Sequence, residues 1–172
     1  MKATTRMMLC LLLLPTISPT LPAQSPCLPT APATVVRLSA GDSVARQVDA
    51  RQRENHTDIQ LDSGAVYTFV ARGEWKDGGV RPVNARGFHL RDVPWYSKPL
   101  MFVAAPLRRA HAEWFELVGE VATRPHDFFA IGDSLAAWPA PISGELVVFA
   151  NDVNIAYGNN QGCLTLVVRR AS

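Results

Sequence analysis

Short runs of strand-forming residues, each ended by a turn sequence, recur along residues 34–172. Turn signals such as Gly41-Asp42, Asp62-Ser63-Gly64 and Ser143-Gly144 separate these runs. Many short strands with regular turn residues are typical of an all-β sandwich or jelly roll. The predicted strands are residues 34–38, 43–48, 57–61, 65–71, 114–121, 127–131, 145–150 and 163–169.

Side-chain alternation supports this fold class. Leu164, Leu166 and Val168 share one face of the last predicted strand, as expected when a strand buries one face. In residues 66–71 both alternating sets are largely apolar, which indicates that both faces are covered. The chain is long enough for one such domain with its own core.

The N-terminus has the pattern of a secretory signal. Lys2 and Arg6 form a basic region, the apolar run 7–14 is too short to span a bilayer, and a cleavage site follows Ala23. We therefore expect a signal peptide over residues 1–23, a Pro-rich leader over 24–33 and one domain over 34–172. The expected location is secreted or periplasmic, without a membrane span.

Charge limits the choice of partners. The chain has 17 Lys and Arg residues and 15 Asp and Glu residues. Loss of the signal, which contains two basic and no acidic residues, would leave 15 of each. A balanced charge argues against nucleic acid or an anionic membrane as the main partner. The pairs Arg108-Arg109 and Arg169-Arg170 are therefore interpreted as solvated strand ends.

Two cysteines, Cys27 and Cys163, remain once Cys10 is lost with the signal. An oxidising compartment permits them to pair. Connectivity cannot be deduced from sequence, so a disulfide and two separate thiols both stay open.

A segment rich in oxygen donors lies between the last two predicted strands. Residues 151–160 contain one carboxylate and four side-chain amides. Calcium takes about six to eight oxygen ligands from carboxylates, amides, backbone carbonyls and water. Asp152, Asn159 and Asn160 could supply side-chain ligands, and a carbonyl near Ala156 could supply another. Because Asn, Asp and Gly also form turns, the alternative is an ordinary turn.

This segment resembles the calcium-dependent galactophilic lectins of bacteria (PA-IL type), which have a galactose-binding-domain-like β-sandwich. In that family an Asn-Asp pair ends a strand, a carbonyl ligand follows four residues after the Asp, and two Asn follow at seven and eight; Asp152, Ala156, Asn159 and Asn160 fit these spacings. An upstream turn gives one more carbonyl, and residues 73–79 look like that turn. The resemblance implies a Ca²⁺ site formed by Gly78, Asp152, Ala156, Asn159 and Asn160.

The same resemblance implies a bound sugar. Two galactose hydroxyls complete the metal shell in the family, and here Asp152, Val153 and Asn159 would contact the sugar. The family also has a His on a separate loop; residues 81–109 do not align with that loop, and His89 is the candidate within them. Ala156 replaces a Thr, which keeps the carbonyl and removes the hydroxyl. The family forms tetramers, so a homo-oligomer is an expectation from resemblance alone.

Residues 76–109 contain four prolines and little periodicity. Segments this long inside a compact domain are usually functional, or they contain an element that the pattern does not show. Trp95 and Tyr96 could stack on the apolar face of a sugar, or they could pack the segment onto the sandwich.

Two other patterns suggest chemistry. Gly132-Asp133-Ser134-Leu135 spells the nucleophile block of GDSL esterases, but a nucleophilic Ser needs a base, and no His follows Ser134. We interpret this block as a turn and predict no enzymatic activity. His111 and Glu113 would share one strand face, which is too few ligands for a zinc site.

The sequence therefore predicts a secreted, calcium-dependent carbohydrate-binding protein, lectin-like and selective for galactose-type sugars. Weak affinity for a single sugar would be compensated by multivalency. The alternative is a β-sandwich with a structural calcium site that binds a protein or a cell-envelope partner.

Overall fold

A computed structural model, which describes Cys27 and residues 34–171, shows two β-sheets. The predicted signal peptide and the rest of the leader up to residue 33 lie outside the described residues. The strands are β1 (Val36–Arg37), β2 (Ser43–Asp49), β3 (Asn55–Leu61), β4 (Val66–Lys76), β5 (Leu117–Val121), β6 (Arg124–Ala130), β7 (Ser134–Pro139), β8 (Gly144–Ala150) and β9 (Gln161–Arg170).

The strands form an all-β sandwich, which confirms the predicted fold class. One sheet has the order β1-β3-β8-β5-β6, and the other has the order β2-β9-β4-β7. The pairing of β1 with β3 is parallel, and the other named pairings are antiparallel.

The core follows the alternation of the sequence. Leu164, Leu166 and Val168 of β9 are fully buried, as predicted. Tyr67 and Phe69 of β4 are also fully buried, whereas residues 66, 68 and 70 are only half-buried, so the second face of this strand is partly covered. Full burial of one such side chain contributes about 1.5–3 kcal/mol.

The strand prediction is wrong at the start of β5 and at β7. The strand predicted from residue 114 begins at Leu117, because Phe115 has a positive φ of 61° and turns the chain. His111 and Glu113 precede that turn, outside any strand, so they do not share a strand face. Ser134 does not lie in the predicted turn, because it is the first residue of β7. This strand lies at the edge of its sheet and most of its residues are exposed, so its sequence lacks alternation.

The turn after β4 is shorter than the sequence indicated. Residues 73–76 pair with β9, up to Lys76 opposite Gln161. The turn itself begins at Asp77, whose carbonyl accepts a hydrogen bond of 2.7 Å from the Val80 N–H. Gly78 is therefore placed directly at the end of the β4–β9 ladder.

The long segment after this turn contains helical elements that periodicity did not show. They are a 3-10 helix (Leu90–Asp92), α1 (Lys98–Ala104) and a second 3-10 helix (Ala105–Leu107). Met101 anchors α1 in the core. In the part of the chain that is described, no helix is long and apolar enough to cross a membrane.

Cys27 and Cys163 form a disulfide. The bond joins the N-terminal leader to β9, the central strand beside both β2 and β4. The pairing that sequence left open is thus present.

Candidate metal centre

The turn after β4 and the loop before β9 meet at one end of the four-stranded sheet. Lys76 and Gln161 are paired, and they are the last residue of β4 and the first of β9. The turn 77–80 leaves the sheet at this point, and the loop 151–160 enters it there. The antiparallel register therefore joins the two regions that were predicted to hold calcium.

Asp152 and Asn160 form the buried part of the site, with exposed fractions of 1% and 0%. The Nδ2 atom of Asn160 donates to Asp152 Oδ2 at 3.0 Å and to the Ala50 carbonyl at 3.2 Å. The Val153 N–H donates to Asp152 Oδ1 at 2.7 Å. Each carboxylate oxygen has one donor and keeps a lone pair for a further partner.

The Oδ1 atom of Asn160 is buried and has no hydrogen-bond partner among the described residues. The orientation of this amide is fixed, because both partners of Nδ2 are acceptors and a flipped amide would place Oδ1 against them. An unpaired buried acceptor costs about 1–3 kcal/mol. A cation beside Asp152 would satisfy it, since amide oxygens are calcium ligands.

Asn159 connects the loop to the turn. Its Nδ2 atom donates to Asp77 Oδ1 at 3.1 Å. Gly78 has a φ of +42°, and a Cβ atom there would lie 2.7 Å from the same Nδ2. Glycine is therefore required for the close approach of the turn to Asn159.

Ala156 begins the single-turn 3-10 helix Tyr157–Asn159. Its carbonyl accepts a hydrogen bond of 3.1 Å from the Asn159 N–H. A carbonyl oxygen has two lone pairs, so this bond leaves one for a metal ion. Of the five predicted metal residues, hydrogen bonds join Asp152 to Asn160 and Ala156 to Asn159. Gly78 is so close to Asn159 that a Cβ atom on it would lie 2.7 Å from Asn159 Nδ2.

Asp77 was not among the predicted ligands, although it adjoins Gly78 in the sequence. Burial, followed by the nearby negative charge of Asp152, raises the pKa of Asp77 to about 6, against a smaller opposing effect of the Asn159 hydrogen bond. Burial also raises the pKa of Asp152, and its bonds from Asn160 and Val153 oppose this. The two carboxylates thus share a site that disfavours their negative charge.

Asn151 has a different role from the other amides of the loop. It is fully buried, and its Nδ2 atom donates to the carbonyls of Ala110, Ala112 and Glu113 at 2.9–3.1 Å. Its Oδ1 atom accepts from the Ala110 N–H at 3.0 Å. Asn151 therefore fixes the segment before β5 and points away from the candidate ligands.

Val153 lies within the loop, and the Arg109 N–H donates to the Asp152 carbonyl at 3.3 Å. Val153 is 9% exposed and forms a β-bridge with Arg108. The Arg109 side chain is also 9% exposed; it pairs with Glu54 and with the buried Glu120, and it lies 3.9 Å from the Phe149 ring centroid. The interpretation of Arg109 as a solvated strand end is therefore wrong.

His89 lies in a neighbouring cleft. Its Nδ1 atom is 2.8 Å from Glu113 Oε2, and the cleft of about 290 Å³ also includes Val80 at the end of the metal-site turn. Within the described residues, no hydrogen bond or ion pair joins His89 to residues 151–160. The structure thus places His89 beside the candidate centre without direct contact.

The donor chemistry of the site favours a hard cation. Among the residues that the structure describes, no group of three or more His, Cys, Asp or Glu side chains is placed to hold a metal. The donors gathered here are instead carboxylate, amide and backbone oxygens, which is the ligand set of calcium.

Ser134 lies elsewhere, at the start of β7. Its hydroxyl is 3.5 Å from Asp133 Oδ1, and Asp133 in turn pairs with Arg86. No histidine contacts this hydroxyl within the described part of the chain.

Comparison with known proteins supports the fold. No protein-family model and no curated protein matches the sequence. Among solved structures, the chain is similar to the N-terminal domain of EclA, a PllA-like lectin, with a TM-score of 0.55 and 19% identity over 73% of this chain and 94% of that one. The likeness shows a lectin-like β-sandwich.

Proposed function

We propose that this protein is a carbohydrate-binding, lectin-like protein whose sugar site is centred on a Ca²⁺ ion. The observation that supports the ion most strongly is the buried Oδ1 of Asn160, unpartnered among the described residues and next to Asp152. The lectin-like fold supports the class of ligand. Galactose-type sugars are the first to test, because the loop spacing resembles the galactophilic family.

The proposed ligands are Asp152, Asn159 and Asn160 through their side chains, and Gly78 and Ala156 through their carbonyls. A bound calcium ion would supply a localised charge that favours neighbouring sugar hydroxyls over water. The chain would orient the sugar through Asp152, Val153 and Asn159, with His89 on the side of the cleft. Amide and carboxylate groups that contact both the ion and the sugar would fix the orientation of the bound sugar.

We further propose that the protein acts outside the cytoplasm. The N-terminal sequence has a secretory pattern, and the Cys27–Cys163 disulfide is of the kind that persists in oxidising compartments.

Thermal unfolding tests this function. The purified protein is first treated with chelator, then titrated with calcium, and finally with galactose at saturating calcium. A ligand that binds only the native state raises the melting temperature, so calcium and then galactose should each raise it. An unchanged melting temperature with calcium would contradict the proposal.

Asp152→Asn is the matched variant. It keeps the shape and acceptor of the side chain and removes its charge, so the response to calcium and to sugar should be lost. Asn154→Ala is the control, because Asn154 is exposed in the same loop. Loss of the response in both variants would indicate a general effect on the loop.

A second candidate is a structural calcium site in a domain that binds a protein or the cell envelope. It is favoured by apolar side chains that are exposed on and around α1: Trp95, Tyr96, Leu100, Phe102, Val103 and Leu107. Under this alternative, calcium raises the melting temperature and no sugar of a panel raises it further. Asp152→Ala would then lower stability without changing any sugar response.

A further inference from the structure

Asp77 lies where the turn after β4 contacts the proposed calcium loop. Its Oδ1 atom accepts the hydrogen bond from Asn159 Nδ2, and its neighbour Gly78 has no room for a side chain against the same atom. The Asp77 carbonyl is already used within its own turn, by the Val80 N–H. The contact of this residue with the loop is made by its side chain.

No ion pair among the described residues neutralises the two carboxylates of the site. Among the described residues, the ion pairs do not include a Lys, Arg or His partner for Asp77 or Asp152. The groups that act on Asp77 are Asp152 and Asn159, a like charge and a neutral amide. Carboxylates that are withdrawn from water and repel each other usually share a cation or a proton.

A third group, the amide of Asn160, adjoins Asp152. Asn160 Oδ1 is fully buried without a partner, and its amide is bonded to the Asp152 carboxylate. An amide acceptor and two carboxylates cannot satisfy one another, because all of them accept. They can all be satisfied by one divalent cation.

We propose that Asp77 is a direct carboxylate ligand of the calcium ion, in addition to the five groups named above. This inference rests on the proposed calcium site. Six protein groups leave up to about two positions in a calcium shell of about eight oxygens, which is enough for two sugar hydroxyls. The second carboxylate does not displace the sugar.

Two consequences follow for regulation of the site. Affinity of oxygen-ligand sites rises with the number of charged ligands, so the ion should stay bound without sugar. Asp77 also belongs to the turn that ends at Val80, on the wall of the His89 cleft. Calcium occupancy would then hold this turn against the 151–160 loop before the sugar arrives.

The test is calorimetric titration of calcium into the chelator-stripped protein without sugar. Asp77→Asn retains an acceptor for Asn159 and removes the charge, so calcium affinity should fall at least about tenfold. The melting temperature of the calcium-free variant should rise, because the repulsion with Asp152 is removed. Substitution of a residue with only a structural role would not both lower the calcium affinity and raise the melting temperature of the calcium-free protein.

Asp127→Asn is the control for net charge, because Asp127 is exposed and pairs only with Arg124 among the described residues. Equal calcium affinity of wild type, Asp77→Asn and Asp127→Asn would overturn this inference and leave the proposed function standing. An equal loss in both variants would also overturn it, since the effect would then be one of general charge. Absence of calcium binding by the wild type would overturn the proposed function itself.

Asp77→Glu covers the case in which Asp77→Asn does not fold. This variant keeps the charge on a longer side chain, so it should bind calcium more weakly than wild type and show a lower melting temperature without calcium than with it. Wild-type affinity in Asp77→Glu would contradict a ligand held at a fixed distance.

Discussion

Two asparagines that look equivalent in the sequence have opposite roles in the structure. Asn151 has all of its amide atoms bonded to the segment 110–113, whereas Asn160 has a buried oxygen left unpaired among the described residues. The density of amides in the loop therefore has two causes. One amide builds the fold around the site, and another, that of Asn160, keeps an unpaired acceptor among the described residues.

Asn151→Ala should strongly destabilise the protein. It would leave buried carbonyls of residues 110–113 and the Ala110 N–H without their partner, and each such group costs about 1–3 kcal/mol. We expect a loss of about 3 kcal/mol or more in the free energy of unfolding, measured by denaturant titration. Asn154→Ala, in the exposed part of the loop, should change it by less than about 0.5 kcal/mol. Similar losses in both variants would contradict the role of Asn151.

Gly78→Ala should weaken calcium binding. The new Cβ would lie 2.7 Å from Asn159 Nδ2 at a backbone with positive φ, so either the turn or the Asn159 ligand must move. Calcium titration by calorimetry measures the effect. Gly79→Ala is the matched control, because a Cβ there has open space. Wild-type affinity in Gly78→Ala would show that the approach of turn and loop is not needed.

At the level of elements, the sequence predicts strands that carry apolar runs or alternation and misses an exposed edge strand. β9 was predicted because Leu164, Leu166 and Val168 face the core. β7 was missed because it is an exposed edge strand, and the start of β5 was misplaced because buried Trp114 and Phe115 look like strand residues while they form a turn. A buried turn and a buried strand are both rich in apolar residues, so the sequence does not distinguish them at Trp114 and Phe115.

The candidate site was predicted in the same uneven way. Spacing within one loop identified Asp152, Asn159 and Asn160, and the resemblance added Gly78. Asp77 was missed because its relevance depends on the register of β4 against β9, which sets Lys76 opposite Gln161. Contacts between distant segments are not encoded in local spacing.

The disulfide gives a prediction about β9 and the leader. Cys27 and Cys163 are 136 residues apart in the sequence, and closing a loop of this length stabilises a fold by up to about 5 kcal/mol in the chain-entropy account. Cys27→Ser with Cys163→Ser should therefore lower the denaturant midpoint by an amount that corresponds to several kcal/mol. The wild type under reducing conditions should shift in the same direction. Equal midpoints for oxidised wild type and the double variant would contradict a stabilising role.

At the scale of the whole molecule, the sandwich is a framework that brings two distant loops together. The residues of the proposed site come from the end of β4 and from the β8–β9 connection. The Arg109 N–H donates to the Asp152 carbonyl of that connection at 3.3 Å, and the Arg109 side chain pairs with Glu54 and Glu120. The sequence did not predict these pairs, because the partners of Arg109 lie on β5 and before β3. The lectin-like neighbour has the same architecture over most of its length.

The framework should not depend on the ion. Its core is formed mostly by residues of the two sheets, so the chelated protein should remain folded and lose stability mainly around residues 77–80 and 151–160. The lectin proposal and the proposal of a structural calcium site therefore place the ion at the same position. They differ in whether a sugar raises the melting temperature further.

The most direct test of the central claim is a crystal structure grown with calcium, with anomalous difference density used to locate the ion. We expect one peak between the turn and the loop, about 2.3–2.6 Å from oxygens of Asp152, Asn159 and Asn160 and from the carbonyls of Gly78 and Ala156. A well-ordered site with no peak there, or a peak only elsewhere on the molecule, would contradict it.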